Sequence, residues 1–407
     1  MTNPPLAVPA SARDLRNAAV ATGVVFAVSG AVFATWVSRL PAVRDRIDAG
    51  NAELGLALLC IGLGSLFTMP FTGKLCARFG SRNIVLATAL PGCAMLALLA
   101  HVPSVGLLGA ALFAWGASYG AWDVAMNVHG SAVEQRAGRA WMPRYHAAWS
   151  IGGIAGAGLG VLAAGLSVPV AAHFGGAAAV LAVTVLVATR MFVPDRAPDD
   201  GTSTDDANEA QRGRLLTKSL VAVGLLTACA TCIEGAAADW IALYLTDDRG
   251  AEPSVASGGY AVFAVAMAAS RLAGTGVIER VGRERAVRGA GVLTFAGIVI
   301  TLAAPGIVGS YVGVLLWGAG VAVVFPAAMS RGGETPGRSA DGIAAVSTLG
   351  YGGFLLGPPL VGILAEHIGL GNALYSLLVL AAGIVGLSAA AAPLRNAGAA
   401  TVDSERR

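Results

Sequence analysis

Twelve stretches of this chain are each long and apolar enough to cross a lipid bilayer. A helix needs about 20 apolar residues to span the hydrocarbon. The stretches fall near 18–38, 53–72, 83–101, 105–128, 145–166, 168–190, 218–245, 255–278, 286–305, 309–330, 340–366 and 370–391. In hydrocarbon every backbone polar group must be satisfied within the chain, which helices do segment by segment. Composition agrees: 56% of residues are hydrophobic and 13% charged, with a mean hydropathy of +0.69. A water-soluble domain carries far more charge. The expected fold class is all-α and polytopic, with twelve transmembrane helices.

Lys and Arg accumulate in cytoplasmic loops, so they test the count. With the N-terminus placed inside, 22 of the 27 basic residues fall on the cytoplasmic side; Arg39, Arg44, Arg46 and Arg249 fall outside, and Arg271 lies within a span. A wrong count would scramble this alternation. The net charge of +3 therefore reflects orientation and gives no hint of nucleic acid. The expected location is a bacterial-type inner (plasma) membrane, multi-pass, with both termini cytoplasmic. Residues 1–17 lack a cleavable-signal layout, so the first helix is expected to stay as an uncleaved anchor. The long polar segment with Asp199, Asp200, Asp205 and Asp206 reads as a flexible linker. It divides the chain into six helices (1–193), a cytoplasmic linker (194–217) and six helices with a short cytoplasmic tail (218–407). Two parallel six-helix repeats give that layout.

An internal echo supports the repeat. Gly73-Lys74-Leu75-Cys76-Ala77-Arg78-Phe79-Gly80-Ser81-Arg82 follows the second span, and Glu279-Arg280-Val281-Gly282-Arg283 follows the eighth. Both carry Arg-x-Gly, with another Arg after it, where glycine permits a tight turn.

Gly73 to Arg82 resembles the G-x-x-x-D-R-x-G-R-[RK] signature of the major facilitator superfamily, and the 6 + linker + 6 layout extends the resemblance over the chain. Trp36…Arg39-Leu40-Pro41, Trp122-Asp123-Val124-Ala125-Met126-Asn127, Tyr145-His146, Glu234-Gly235-Ala236…Asp239-Trp240 and Gly357-Pro358-Pro359 are similar to a bacterial branch that includes the rhizopine-associated membrane protein MosC. The resemblance implies two pseudo-symmetric bundles working by alternating access, with helices 1, 4, 7 and 10 around a central cavity. It implies gating turns at Gly73, Arg78, Gly80 and Arg82, and at Glu279, Arg280 and Gly282. The family's acid stands as Ala77 in the first copy and Glu279 in the second, so one latch charge is missing. Asp341, at the start of the eleventh span, is a candidate to cap that helix instead.

Ionisable groups inside a membrane are costly and mark function or pairing. Tyr119, Asp123 and Asn127, spaced i, i+4, i+8, share one face of the fourth span. The alternative for Asp123 is a structural pairing with Arg144. Thr227, Thr231 and Glu234 make a second stripe, on the seventh span, where a mid-membrane carboxylate is a candidate for holding a proton. Asp239 lies nearer the outer mouth, and Arg271 is expected to pair with an acid that the sequence does not identify. Trp36, Trp122 and Trp240 are candidates to stack on a sugar-, cyclitol- or amine-like solute.

Other signals point away from chemistry. The five cysteines are an odd set in apolar helices or a turn and imply no disulfide framework. The run Gly152 to Gly160 has no preceding strand and reads as close helix packing, not a phosphate loop. No metal-ligand cluster or catalytic constellation appears, so neither an enzyme nor a cofactor nor a metal is expected. The sequence reads as a secondary active transporter of a small solute, monomeric and proton-coupled, with Asp123, Glu234, Asp239, Tyr119, Asn127, Trp36, Trp122, Thr231 and Trp240 as its binding candidates. Proton-driven efflux of amphipathic compounds and a non-transporting receptor on the same fold are the alternatives.

Overall fold

The computed structural model describes residues 11–49, 51–195 and 217–394. Twelve helices among them are long and apolar enough to span a membrane: α1 (Ala12–Ser38), α2 (Asn51–Phe79), α3 (Ser81–Leu99), α4 (Val105–Ala137), α5 (Met142–Gly165), α6 (Val170–Ala188), α7 (Lys218–Asp247), α8 (Pro253–Val281), α9 (Arg283–Ala303), α10 (Gly306–Gly333), α11 (Ser339–Ile368) and α12 (Leu370–Ala391). The linker expected over 194–217 lies, apart from its ends, outside the described residues, as does the tail beyond residue 394.

Local chemistry sets the helix ends. Ser11 and Asp14 form a reciprocal capping box at α1, and the Ser104 and Thr217 hydroxyls accept from the amides of Leu107 and Leu220 at the starts of α4 and α7, filling donors that a first turn leaves open. Several helices outrun their apolar stretches. Helix α4 continues to Ala137, where Gly138 closes it in a left-handed conformation (φ 62°). Its 33 residues make a rod about 50 Å long, longer than the hydrocarbon is thick.

Two bundles repeat one packing scheme. In the first, α5 crosses α1 so closely that a β-carbon on Gly152 would overlap the Ala27 carbonyl; in the second, one on Gly353 of α11 would overlap the Ala228 carbonyl of α7. The pairs α2/α4 and α8/α10 match in the same way, through Gly116 against Ile61 and Gly318 against Phe263. Small residues let backbones approach where lipid offers no hydrophobic drive between helices. The glycine run in α5 is thus a packing surface.

The turns differ from expectation in extent. Helix α2 runs on to Phe79, so Gly73 sits inside it, where an added β-carbon would lie 2.7 Å from the Ala340 carbonyl of α11. Hydrogen bonding continues through polar residues after the apolar run stops, which apolarity alone does not reveal. Gly80 (φ 80°, ψ 145°) alone links α2 to α3, and Gly282 (φ 83°, ψ 154°) alone links α8 to α9. This side of the molecule is termed the glycine-turn end below.

Candidate functional site

Along the seam between the two bundles, buried charged groups of both halves come together. On the α4 side, Asp123 is 7% exposed and its Oδ2 has no hydrogen-bond partner among the described residues. Asn127 Nδ2 donates to the Asp123 backbone carbonyl at 2.9 Å and approaches Oδ1 at 3.4 Å. Asn127 Oδ1 lies 3.3 Å from Nε2 of His146 on α5. Tyr119, one turn away, accepts from the Ser29 hydroxyl at 3.0 Å and from Trp149 Nε1 at 3.1 Å. The stripe read from spacing is real, and it joins α1, α4 and α5. Arg144 is exposed at the start of α5 and makes no bond to Asp123.

On the other side Arg271 of α8, 4% exposed, binds in three directions. Its Nη2 is 3.4 Å from both carboxylate oxygens of Glu234 on α7. Its Nη1 donates to Ser150 Oγ of α5 at 3.0 Å, and its Nε donates to the Ala322 carbonyl of α10 at 3.2 Å. That carbonyl is available for a local reason. Proline has no N–H, so Pro326 cannot donate to the carbonyl four residues before it. Helix α10 accordingly breaks between Val321 and Val324, and a guanidinium takes the freed acceptor, as interrupted membrane helices require. Sequence reasoning left Arg271 without a named partner. The available signal was Pro326, four residues after Ala322, which marks a free carbonyl at mid-membrane. Tyr351 of α11, half-buried, lies within electrostatic reach of both Asp123 and Glu234.

Other candidates sit elsewhere. Trp36 and Trp122 are 0% exposed; Trp36 packs on Trp115 and Phe174, and Trp122 faces Gly92 of α3. Both pack within the first bundle, where glycine-rich helices need bulky side chains to fill the centre. The Thr231 hydroxyl donates to the Gly350 carbonyl at 2.6 Å, tying α7 to α11. Trp240 lies against Gly362 of α11. Asp239 is exposed, a turn and a half beyond Glu234. No metal-ligating cluster is present among the described residues.

The glycine-turn end carries further bonds between the halves. Gln135 Nε2 donates to the Gly333 carbonyl at 2.7 Å, and Arg139 pairs with Glu279 at 3.3 Å. The second copy's acid thus reaches the first bundle, whereas at Ala77 no carboxylate is available. Asp341 lies in the first turn of α11 but makes no capping hydrogen bond there. Its carboxylate pairs with Arg338 at 3.0 Å, and the α11 start has no side-chain cap. Asp195, at the beginning of the linker, instead accepts from the Ser81 amide at 3.2 Å and caps α3. Arg78 lies over the Phe79 ring, and Arg82 and Arg280 are exposed. Because Arg139 and Glu279 are 53% and 38% exposed, Glu279→Gln is expected to cost less than about 1 kcal/mol. Thermal unfolding at low and high salt checks this, since screening should erase the difference.

Known proteins match this arrangement. The profile of the Major Facilitator Superfamily matches residues 18–358. An uncharacterised MFS-type transporter of Yersinia pestis is 33% identical over 351 residues, covering 85% of this chain and 88% of that protein. Membrane protein MosC of Rhizobium meliloti is 31% identical over 366 residues, covering 88% and 86%. In fold, the chain is similar to the E. coli fucose:proton symporter FucP (TM-score 0.73, 14% identity, 92% and 98% covered) and to the human organic anion transporter MFSD10 (TM-score 0.75, 18% identity, 95% and 100% covered). At these identities the solved structures speak for the fold alone. With twelve spans, a repeated bundle and a profile that covers most of its length, the chain belongs to the major facilitator superfamily of membrane transporters.

Proposed function

We propose that this transporter moves a small, uncharged polar solute together with a proton, by alternating access, and that Asp123 carries the proton. The observation behind this is the contrast between two buried carboxylates. Glu234 has a guanidinium beside it, whereas the enclosed Oδ2 of Asp123 has no partner among the described residues. The spacing pattern favoured Glu234 as the proton site; its ion pair moves the proposal to Asp123. Asp123, Glu234 and Arg271 together carry one negative charge in excess, and net charge in a low-dielectric interior is costly. One proton on Asp123 removes the excess. Asn127, His146, Tyr119 and Tyr351 then supply hydrogen-bonding groups around a solute bound between the halves, where transporters built from repeats place their sites.

The distribution of Lys and Arg supports a cytoplasmic glycine-turn end, the end at which α1 begins and α12 finishes. The bonds from Gln135 and Arg139 across the halves then describe a state closed to the cytoplasm. Fucose and organic anions, the cargoes named for the two structural neighbours, differ in charge, so the shared fold does not choose the solute. A thermal-shift screen of sugars, cyclitols, amines and carboxylates identifies a ligand. Uptake of that ligand into proteoliposomes is expected to follow an imposed pH gradient. Asp123→Asn is expected to lose at least tenfold of the gradient-driven uptake while still binding. Gradient-driven uptake by Asp123→Asn at the unmodified rate would refute the assignment.

A further inference from the structure

We infer that Arg271 and Ser150 form a latch between the two halves, and that Pro326 is what makes the latch reversible. The bond from Arg271 Nη1 to Ser150 Oγ joins α8 of the second bundle to α5 of the first. Ser150 lies eight residues into α5, about 12 Å from its start, and Arg271 lies ten residues before the end of α8, about 15 Å from it. The two meet at one depth, on the same side of the seam as the Gln135 and Arg139 bonds. When the glycine-turn end opens, α5 and α8 must part there.

Separating a buried guanidinium from its partners is ordinarily prohibitive, because an uncompensated charge remains in low dielectric. Here it is not. Arg271 keeps its Glu234 carboxylate and its Ala322 carbonyl, both within its own half. The carbonyl exists as an acceptor because Pro326 leaves it unbonded in α10. The Ser150 hydroxyl also stays satisfied as a donor, to the His146 carbonyl at 3.1 Å in its own helix. Opening therefore breaks one hydrogen bond to a charged donor and leaves no charge unpaired. Such a bond shifts a two-state equilibrium by about tenfold or somewhat more, large enough to bias the transporter and small enough to break in each cycle. The latch depends on alternating access and not on which solute or ion is carried.

Hydrogen–deuterium exchange of the purified full chain in lipid nanodiscs, with no solute and no pH gradient, tests the latch. Ser150→Ala is expected to raise exchange about tenfold in the facing ends of α5 (142–150) and α8 (271–281), with no rise at the opposite ends of the same helices. Ser150→Thr, which keeps the hydroxyl, is expected to restore the original pattern. Unchanged exchange in Ser150→Ala would overturn the latch. So would a rise spread over both ends of the helices, which would mean loosened packing. A failed latch would leave the Asp123 assignment standing, since no proton or solute enters the measurement.

Discussion

Arg271→Ala is expected to abolish transport and to destabilise the protein by about 3 kcal/mol, the lower part of the range for a broken buried ion pair. Three groups lose their partner together: the Glu234 carboxylate, the Ser150 hydroxyl as acceptor and the Ala322 carbonyl. Glu234 is 20% exposed, so water relieves part of the penalty. The double substitution Arg271→Met with Glu234→Gln removes both charges and is expected to recover most of the lost stability, because no unpaired ion remains. It should recover none of the transport. Arg271→Lys separates charge from geometry. An ammonium keeps the charge, but it lacks a planar fork that can point at three helices at once. Lysine is therefore expected to restore stability better than activity. Thermal unfolding and uptake, measured on the four proteins in parallel, check the set. Full stability in Arg271→Ala would show that the trident contributes nothing to the fold.

Gly152→Leu is expected to cost about 3 kcal/mol, the upper part of the overpacking range. The group that a side chain would strike is the Ala27 carbonyl, part of a helix backbone that cannot rotate aside as a flexible side chain can. Helices α1 and α5 would have to separate along their whole crossing, disturbing the Tyr119–Trp149 bond that the crossing positions. Gly158 provides the control. It lies in the same helix, is exposed, and has open space where a β-carbon would go. Gly158→Leu should leave the unfolding temperature within a few degrees of the original. Equal losses at both positions would trace the cost to the helix itself and not to the crossing.

What the sequence disclosed follows the range of the forces involved. Bilayer thickness acts on single segments, so the twelve spans could be counted from apolar runs. Spacing within one helix placed Tyr119, Asp123 and Asn127 together, and the structure keeps them so. Helix ends were less legible, since hydrogen bonding carries α2 to Phe79 and α4 to Ala137 past the apolar residues. Contacts between helices were the hardest. Nothing local in the sequence says that α8 lies against both α5 and α10, so even the carbonyl that Pro326 frees could not be matched to Arg271. For the same reason the packing of Trp36 and Trp122 inside the first bundle could not be foreseen. The question raised by Ala77 has a structural answer in its counterpart: Glu279 binds Arg139 across the halves, while at the other seam Gly73 brings α2 directly against the backbone of α11.

Gly80 and Gly282 also limit how two such halves can diverge. Their backbone angles fall where a β-carbon is not tolerated. A side chain that contributes through charge can be lost in one copy and retained in the other, as Ala77 and Glu279 are. A hinge residue defined by its torsion angles has no such freedom, because any replacement reorients the whole hairpin. Substitution is therefore freer on the helix faces than at these two turns, which admit glycine alone.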